Sequence, residues 1–151
     1  MTNLAITTLA TAKTQIGVQE IPKGSNAGPE VEIYLKSVGL GKGYSWCMAF
    51  VYWCVLQASL KEKTANPLFK TAGVLHQFNK SQKLVVLKPQ PGDIFIMEFG
   101  KGLGHTGIIE KVVGSIIHTI EGNSNNKGSR EGYEVCQRKR KTNTIKAYLR
   151  L

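Results

Sequence analysis

Residues 44–54 read YSWCMAFVYWC and place a cysteine in the first turn of a predicted apolar helix. Ser45 is a favourable N-cap residue, and the apolar residues after it recur at the i, i+3 and i+4 spacing of a buried helical face. The first N–H groups of a helix have no backbone partner, and the helix dipole favours an anion beside them. Cys47 is therefore a candidate nucleophile, because this position favours the thiolate. The alternative is that Cys47 is a small core residue, so catalysis requires a base elsewhere.

The segments around this helix divide the chain into a helical half and a strand-forming half. Helical spacing predicts three further helices, over residues 3–16, 29–39 and 71–80. Helices first and consecutive short strands second predict an α+β fold, with N-terminal helices packed on a mainly antiparallel sheet of about five or six strands. The predicted strands cover residues 94–97, 104–111, 115–121, 133–137 and 145–151, and the predicted loops cover residues 100–104 and 122–128.

The length and composition favour one globular domain. A chain of 151 residues is the usual size of a single domain, so residues 1–151 are predicted to form one. Apolar residues make up 42% and charged residues 20%, which excludes a disordered chain. No apolar stretch approaches the length of about 18 residues that a membrane-spanning helix needs. The N-terminus has no basic region before its apolar residues, so no clear signal peptide is predicted.

The cysteine count and the charge narrow the class of protein further. Three cysteines are an odd number and too few for a disulfide framework, so free thiols are expected. No close Cys/His pair has the spacing of zinc ligands, so no zinc site is expected. The net charge is +10, and residues 127–151 hold eight Lys or Arg residues against Glu131 and Glu134. This charge predicts attraction to a polyanion, which leaves nucleic acid, an anionic membrane surface and a cell wall as alternatives.

His105 is the candidate base for Cys47. If residues 112–114 form a three-residue hairpin loop, Lys111 pairs with Ser115 and His105 lies opposite Glu121. Cross-strand neighbours have Cβ atoms about 5 Å apart, so the carboxylate can bond one imidazole nitrogen and leave the other for the thiol. A register shifted by one residue would put Glu121 on the other face of the sheet.

The remaining histidines and polar residues have weaker claims to a catalytic role. Asn123 shares the face of Glu121 if the strand continues that far. His76 is predicted to be a surface or half-buried residue of a weak amphipathic helix. His118 is predicted to be a packing residue, because it lies beside isoleucines and has no nearby cysteine or acid at metal-ligand spacing. Tyr44 and Trp46 lie at the mouth of the cysteine helix, where they are candidates for lining a substrate groove.

Four short segments together resemble the CHAP family of cysteine, histidine-dependent amidohydrolases and peptidases. The segments are WCMAFVYW at residues 46–53, PGDI at 91–94, GHTGI at 104–108 and IEGN at 120–123. They occur in the family's order and at its approximate spacing. The resemblance implies a papain-like fold and a peptidoglycan hydrolase, either an N-acetylmuramoyl-L-alanine amidase or a peptidase, that cleaves amide bonds of stem peptides or cross-bridges.

The resemblance also implies roles for particular residues. Cys47 is the nucleophile, His105 is the base, and Glu121 orients His105, with Asn123 as an alternative or auxiliary orienter. The position of Cys47 at the helix start makes its backbone N–H the natural oxyanion donor, with Tyr44 or a neighbouring loop as the candidate second donor. Some relatives bind calcium through acidic residues before the cysteine, but residues 39–44 read GLGKGY, so neither calcium nor any other cofactor is expected.

The expected partner is bacterial peptidoglycan, with anionic wall polymers as further ligands of the basic surface. Specific nucleic-acid binding is not expected, because residues 136–147 have no aromatic residue among their basic residues. Two other classes stay open: an enzyme that transfers or deamidates amides, and a non-catalytic basic domain that binds a polyanion. The site of action is expected to be the cell wall, reached after lysis, by delivery or by non-classical export. A delivered toxin would have an immunity or inhibitor protein as a partner.

Overall fold

A computed structural model gives the fold, and the structure describes residues 1–125 and 132–151. Local capping explains where the first helices begin, since the Thr2 hydroxyl accepts from the N–H of Ala5 and Pro29 occupies a first helical position. The helices are α1 (Asn3–Thr14), α2 (Pro29–Ser37), α3 (Cys47–Glu62) and α4 (Val74–Lys80). The strands are β1 (Val85–Val86), β2 (Ile94–Gly100), β3 (Leu103–Val113), β4 (Ile116–Ser124), β5 (Glu134–Lys141) and β6 (Ala147–Leu149).

The six strands form one sheet in the order β1-β6-β2-β3-β4-β5, and every pairing is antiparallel. The predicted α+β class is therefore confirmed. The prediction missed β1, because two residues are too short to show a strand pattern. It was also wrong to end β4 before Gly122, since β4 continues to Ser124. The rest of that predicted loop, after Asn125, lies outside the described residues.

Helix α3 is buried between the other helices and the sheet. It contacts the helices α1 and α2 as well as the strands β3 and β4. This position explains why the segment is apolar almost throughout, although a stripe at residues 53, 56, 57 and 60 is partly exposed. The three cysteines of the chain, Cys47, Cys54 and Cys136, are buried free thiols. No helix in the described part of the chain has the length and apolar character that crossing a membrane requires.

The sheet buries side chains on both of its faces. On β2, Ile94 and Ile96 belong to the cluster that includes α3, whereas Phe95 and Met97 belong to a second, smaller cluster. Successive residues of a strand point to opposite faces, so the two clusters cover the two faces of the sheet. His105 pairs with Met97 and therefore lies on the face of the smaller cluster.

Candidate active site

Helix α3 presents Cys47 as its first residue. Trp46, rather than the predicted Ser45, occupies the N-cap position, and its carbonyl accepts the first helical bond from the N–H of Phe50 at 2.9 Å. The N–H of Cys47 lies within the first turn, where the helix itself supplies no acceptor. The Cys47 side chain is 5% exposed. The structure thus places this thiol at the helix N-terminus, at the edge of the core.

The indole of Trp46 anchors the chain immediately before the cysteine. Trp46 is 0% exposed and donates its Nε1–H to Oε1 of Glu20 at 2.9 Å. The second carboxylate oxygen of Glu20 accepts from the N–H of Gly24 at 2.7 Å. The expectation that Trp46 lines a groove is wrong, because its amphipathic ring satisfies its N–H inside the core. Tyr44, in contrast, is 54% exposed.

The hairpin between β3 and β4 differs from the predicted one. Val113 pairs with Ile116, so the turn has two residues, Gly114 and Ser115, instead of a three-residue loop. Gly114 has a positive φ of 59°, which suits a tight hairpin turn. Lys111 consequently pairs with His118 and not with Ser115, a displacement of three residues.

A bulge in β3 changes the register again before the strand reaches His105. The register shifts between Ile109 and Lys111, and Ile108 pairs with Ile120. The predicted hairpin would pair Ile108 with residue 118, so the displacement at this point is two residues. An even displacement keeps every side chain on its predicted face. The two errors of register therefore leave Glu121 on the same face as His105, although Glu121 now lies opposite Gly107.

Gly107 makes room for the contact between His105 and Glu121. A Cβ atom on Gly107 would lie 2.8 Å from Cγ of Glu121 and 2.7 Å from the carbonyl oxygen of Ile120. Since real Cβ contacts are longer than this, only glycine lets the Glu121 side chain cross this position. Nε2 of His105 and Oε1 of Glu121 are 2.8 Å apart, and both side chains are 0% exposed.

The other ring nitrogen of His105 is the one available to the thiol. Nδ1 is buried and has no hydrogen-bond partner among the described residues, although Cys47 is close enough to influence the pKa of the ring. Burial lowers the pKa of His105, but hydrogen bonding and charge interactions with Cys47 and Glu121 raise it to about 9. At neutral pH His105 is therefore an imidazolium that bonds the Glu121 carboxylate through Nε2.

Glu121 is held by an arginine as well as by His105. Arg140 donates from Nε to Oε2 at 2.9 Å and from Nη2 to Oε1 at 2.6 Å. The hydroxyl of Thr119 donates to Oε2 at 2.6 Å, and that of Ser124 donates to Oε1 at 3.2 Å. Burial alone would raise the pKa of Glu121, but the bonds from Arg140 and His105 lower it to about 2. The carboxylate is thus ionised at every physiological pH.

Asn123 lies where β4 departs from regular geometry. The register between β4 and β5 shifts between Glu121 and Ser124, and Asn123 has a left-handed φ of 54°, which asparagine tolerates better than most residues. A Cβ on Gly122 would lie 2.8 Å from Cβ of Phe50, so β4 and α3 approach closely here. Asn123 is 0% exposed, and it lies within β4, two residues after Glu121, rather than in a loop.

The sequence analysis missed Arg140, Thr119 and Glu20 as parts of this site. Arg140 was counted only as one of the basic residues near the C-terminus. The pairing of Glu121 with Cys136 places Arg138 and Arg140 on the face of Glu121, but this register of β5 has no signal in the sequence. Within residues 1–125 and 132–151, no group of three His, Cys, Asp or Glu side chains could hold a metal ion.

Comparison with solved structures supports the fold. One match is "The crystal structure of Ly7917", with a TM-score of 0.58 and 17% identity, over 97% of this chain and 61% of that chain. Another is "The crystal structure of Ly7917 with the hydrolyzing product of MDP", with a TM-score of 0.56 and 17% identity, over 97% of this chain and 62% of that chain. This chain therefore spans less than two thirds of the length of the solved chains, and the likeness shows the fold alone.

The family comparison covers the candidate site itself. No curated protein matches the chain. The family model described as "CHAP domain" matches residues 39–123, which is more than half of the 151 residues. The matched region holds Cys47, His105, Glu121 and Asn123. The chain belongs to the CHAP domain family.

Proposed function

We propose that residues 1–151 form a single catalytic domain, a cysteine amidohydrolase or endopeptidase that cleaves amide bonds of bacterial peptidoglycan. The observation that carries this proposal is the buried contact of His105 with Glu121 at 2.8 Å, in a ring whose pKa also responds to Cys47. Membership of the CHAP family supports peptidoglycan as the substrate. A structurally similar protein in complex with the hydrolyzing product of MDP gives further support.

The first half of the proposed reaction is acyl transfer to sulfur. The Cys47 thiolate attacks the scissile carbonyl, and the N–H of Cys47 at the start of α3 stabilises the oxyanion. Tyr44, exposed beside the helix start, is the candidate for a second oxyanion or substrate contact. The C–N bond then breaks, and imidazolium His105 gives its proton to the leaving amine. The products of this half are a thioester on Cys47 and a free amine.

The second half of the reaction needs His105 as a base. Formation of the thioester makes this possible, because it lowers the pKa of His105. The charge of Cys47 is one cause of the raised pKa of His105, and it disappears when the sulfur is acylated. His105 then accepts a proton from water, which attacks the thioester and releases the carboxylic acid. Glu121 holds one tautomer of the ring through both halves.

Arg140 acts as a positioning residue in this mechanism. Its two bonds fix both oxygens of Glu121 and leave Oε1 directed at Nε2 of His105. A carboxylate that is ionised and held at both oxygens cannot rotate away from the imidazole. Arg140 therefore acts on catalysis through Glu121, without touching the substrate.

The lowered pKa of Glu121 predicts a pH dependence that Arg140→Gln should change. Glu121 contributes stability that is fully present above its usual pKa of 4.5 and is lost as pH falls towards about 2. Without Arg140, this acid limb should move to higher pH, both in the free energy of unfolding and in kcat. Arg138→Gln is the charge-matched control, because Arg138 lies on the same strand but the lowered pKa of Glu121 is caused by Arg140 and His105. Identical acid limbs in both variants would contradict the role of Arg140.

The proposed reaction has a direct chemical test. Purified protein is incubated with peptidoglycan in EDTA, and muropeptides and new amino groups are measured by mass spectrometry before and after digestion. We expect new amines at one type of amide bond, unaffected by the chelator and abolished by a thiol alkylator. Addition of free amines separates hydrolysis from amide transfer, since a transferase would attach them to the muropeptides. Loss of activity in EDTA, restored by a divalent metal, would contradict the metal-free mechanism.

A further inference from the structure

Three basic side chains form a row across one face of the sheet. Lys111 on β3 pairs with His118 on β4, and His118 pairs with Lys139 on β5. Directly paired residues share a face, and adjacent strands lie about 4.8 Å apart, so the three groups span about 10 Å. His118 alternates with Glu121 along β4 and points to the opposite face of the sheet. The row therefore lies on the opposite face of the sheet from His105 and Glu121.

The row lines a cleft of about 780 Å³, here called the basic cleft. Lys13, in the last turn of α1, borders it from the helical layer. The complete set of lining residues is Lys13, Glu110, Lys111, His118, Gln137, Arg138 and Lys139.

The negative charge of Glu110, which lines the basic cleft, is already balanced by a neighbouring lysine. Glu110 lies 3.5 Å from Nζ of Lys13, and it accepts a hydrogen bond from Gln137 at 2.9 Å. The positive charges of Lys111 and Lys139 are thus in excess over the acidic charge of the lining, and both side chains are exposed. Such an excess in a concave surface attracts an anion more strongly than the same charges on a convex one.

The pKa of His118 responds to the electrostatic field inside the basic cleft. Its pKa is lowered by burial and by the charges of Lys111 and Lys139, against a smaller raising effect of Glu110. An anion bound between the two lysines would offset their field and raise the pKa of His118. The imidazole is thus a built-in probe for occupancy of the cleft.

We propose that the basic cleft binds a phosphodiester polymer of the bacterial cell wall and holds the enzyme on its substrate. This inference rests on the proposed function for the choice of a wall polymer. The chemistry of the lining favours phosphate groups, because ammonium groups pair with a phosphate as point charges. Nucleic acid is disfavoured, since the described lining has no Phe, Tyr or Trp on which a base could stack.

The test measures binding separately from hydrolysis. Cys47→Ala protein is added to native walls and to walls stripped of phosphodiester polymers with hydrofluoric acid. The cleft variant is Lys111→Gln/Lys139→Gln, and the charge-matched control is Lys36→Gln/Lys61→Gln, exposed lysines of α2 and α3. We expect the cleft variant to bind native walls about thirtyfold more weakly at low salt, since each of the two lysines at an anionic surface contributes about 1 kcal/mol. Stripped walls should bind all three proteins equally weakly.

Each contrary result has its own meaning. Equal losses in the cleft and control variants would show that net charge alone drives binding, and undiminished binding to stripped walls would exclude the phosphodiester polymer. Either result overturns the proposal. Hydrolysis of stripped walls, measured with Cys47 intact, should be the same with and without the cleft substitutions. A chain that binds native walls through the cleft but hydrolyses none would refute the proposed function and leave the binding result standing.

A second readout does not depend on walls. The pKa of His118 is measured by NMR in the Cys47→Ala protein, with and without soluble poly(glycerol phosphate). We expect the polymer to raise this pKa and high salt to abolish the rise, because exposed charges are screened beyond about 8 Å at physiological ionic strength. An unchanged pKa of His118 at a polymer concentration that saturates binding would place the polymer elsewhere on the surface.

Discussion

Cys47→Ala is expected to lower peptidoglycan hydrolysis by at least about a thousandfold while the protein stays folded. The sulfur is the atom that attacks in the proposed mechanism, so its removal leaves no nucleophile for the acyl transfer. The fold should tolerate the change, because Cys47 lies at a helix end at the edge of the core and not in its middle. Cys47→Ser should behave in the same way, since a serine hydroxyl is a far weaker nucleophile than a thiolate. The measurement is the rate of amine release from walls, with circular dichroism as the check on folding.

Cys54→Ala is the matched control in the same helix. Cys54 is 0% exposed, and burial holds the pKa of its thiol well above the usual value. Its removal should leave activity unchanged and cost on the order of 1 kcal/mol of stability for the small cavity. Native activity in Cys47→Ala, or a complete loss in a folded Cys54→Ala protein, would show that the nucleophile has been assigned wrongly.

Glu121→Gln is expected to lower kcat by roughly two to four orders of magnitude with little change in substrate binding. Glutamine keeps the shape of the side chain but removes the charge that stabilises imidazolium His105. His105→Ala should be equally severe or worse, because it removes the proton donor and base itself. The readouts are kcat and KM for the release of amines from soluble muropeptides.

The double variant Glu121→Gln/His105→Ala separates a functional unit from a chance arrangement. Groups that act as a unit have non-additive effects, so the double variant should be hardly slower than His105→Ala alone. Additive losses would mean that Glu121 acts independently, for instance on substrate. In that case Asn123, buried two residues further along β4, would be the better candidate for orienting His105.

The sequence by itself determined the class of fold and the position of the candidate nucleophile at the start of α3. Both depend on short-range patterns, because an apolar period of 3.6 residues and alternation in short segments are imposed by local backbone geometry. The start of α3 was predicted within one residue, although the N-cap is Trp46 and not Ser45. The reason for this difference lies outside the local sequence, because the indole of Trp46 donates a hydrogen bond to Glu20 in another segment.

The contact between His105 and Glu121 shows which features of strand pairing a local sequence pattern can predict. The predicted hairpin turn was wrong by three residues at Lys111, and the bulge in β3 reduced the displacement to two at Ile108. The contact survived because strand faces repeat every two residues, so an even displacement conserves the face. A sequence pattern thus determines which side chains share a face, whereas turn geometry and bulges decide which of them are adjacent.

Only the tertiary structure revealed the partners that β5 supplies. The bonds of Arg140 to Glu121, and the row of Lys111, His118 and Lys139, both depend on the register of β5 against β4. In the sequence these residues belong to one basic segment with no sign of which cations are buried and which are exposed. Pairing between strands is non-local, so a basic residue acquires its role from the neighbour it meets across the sheet and not from its own place in the chain.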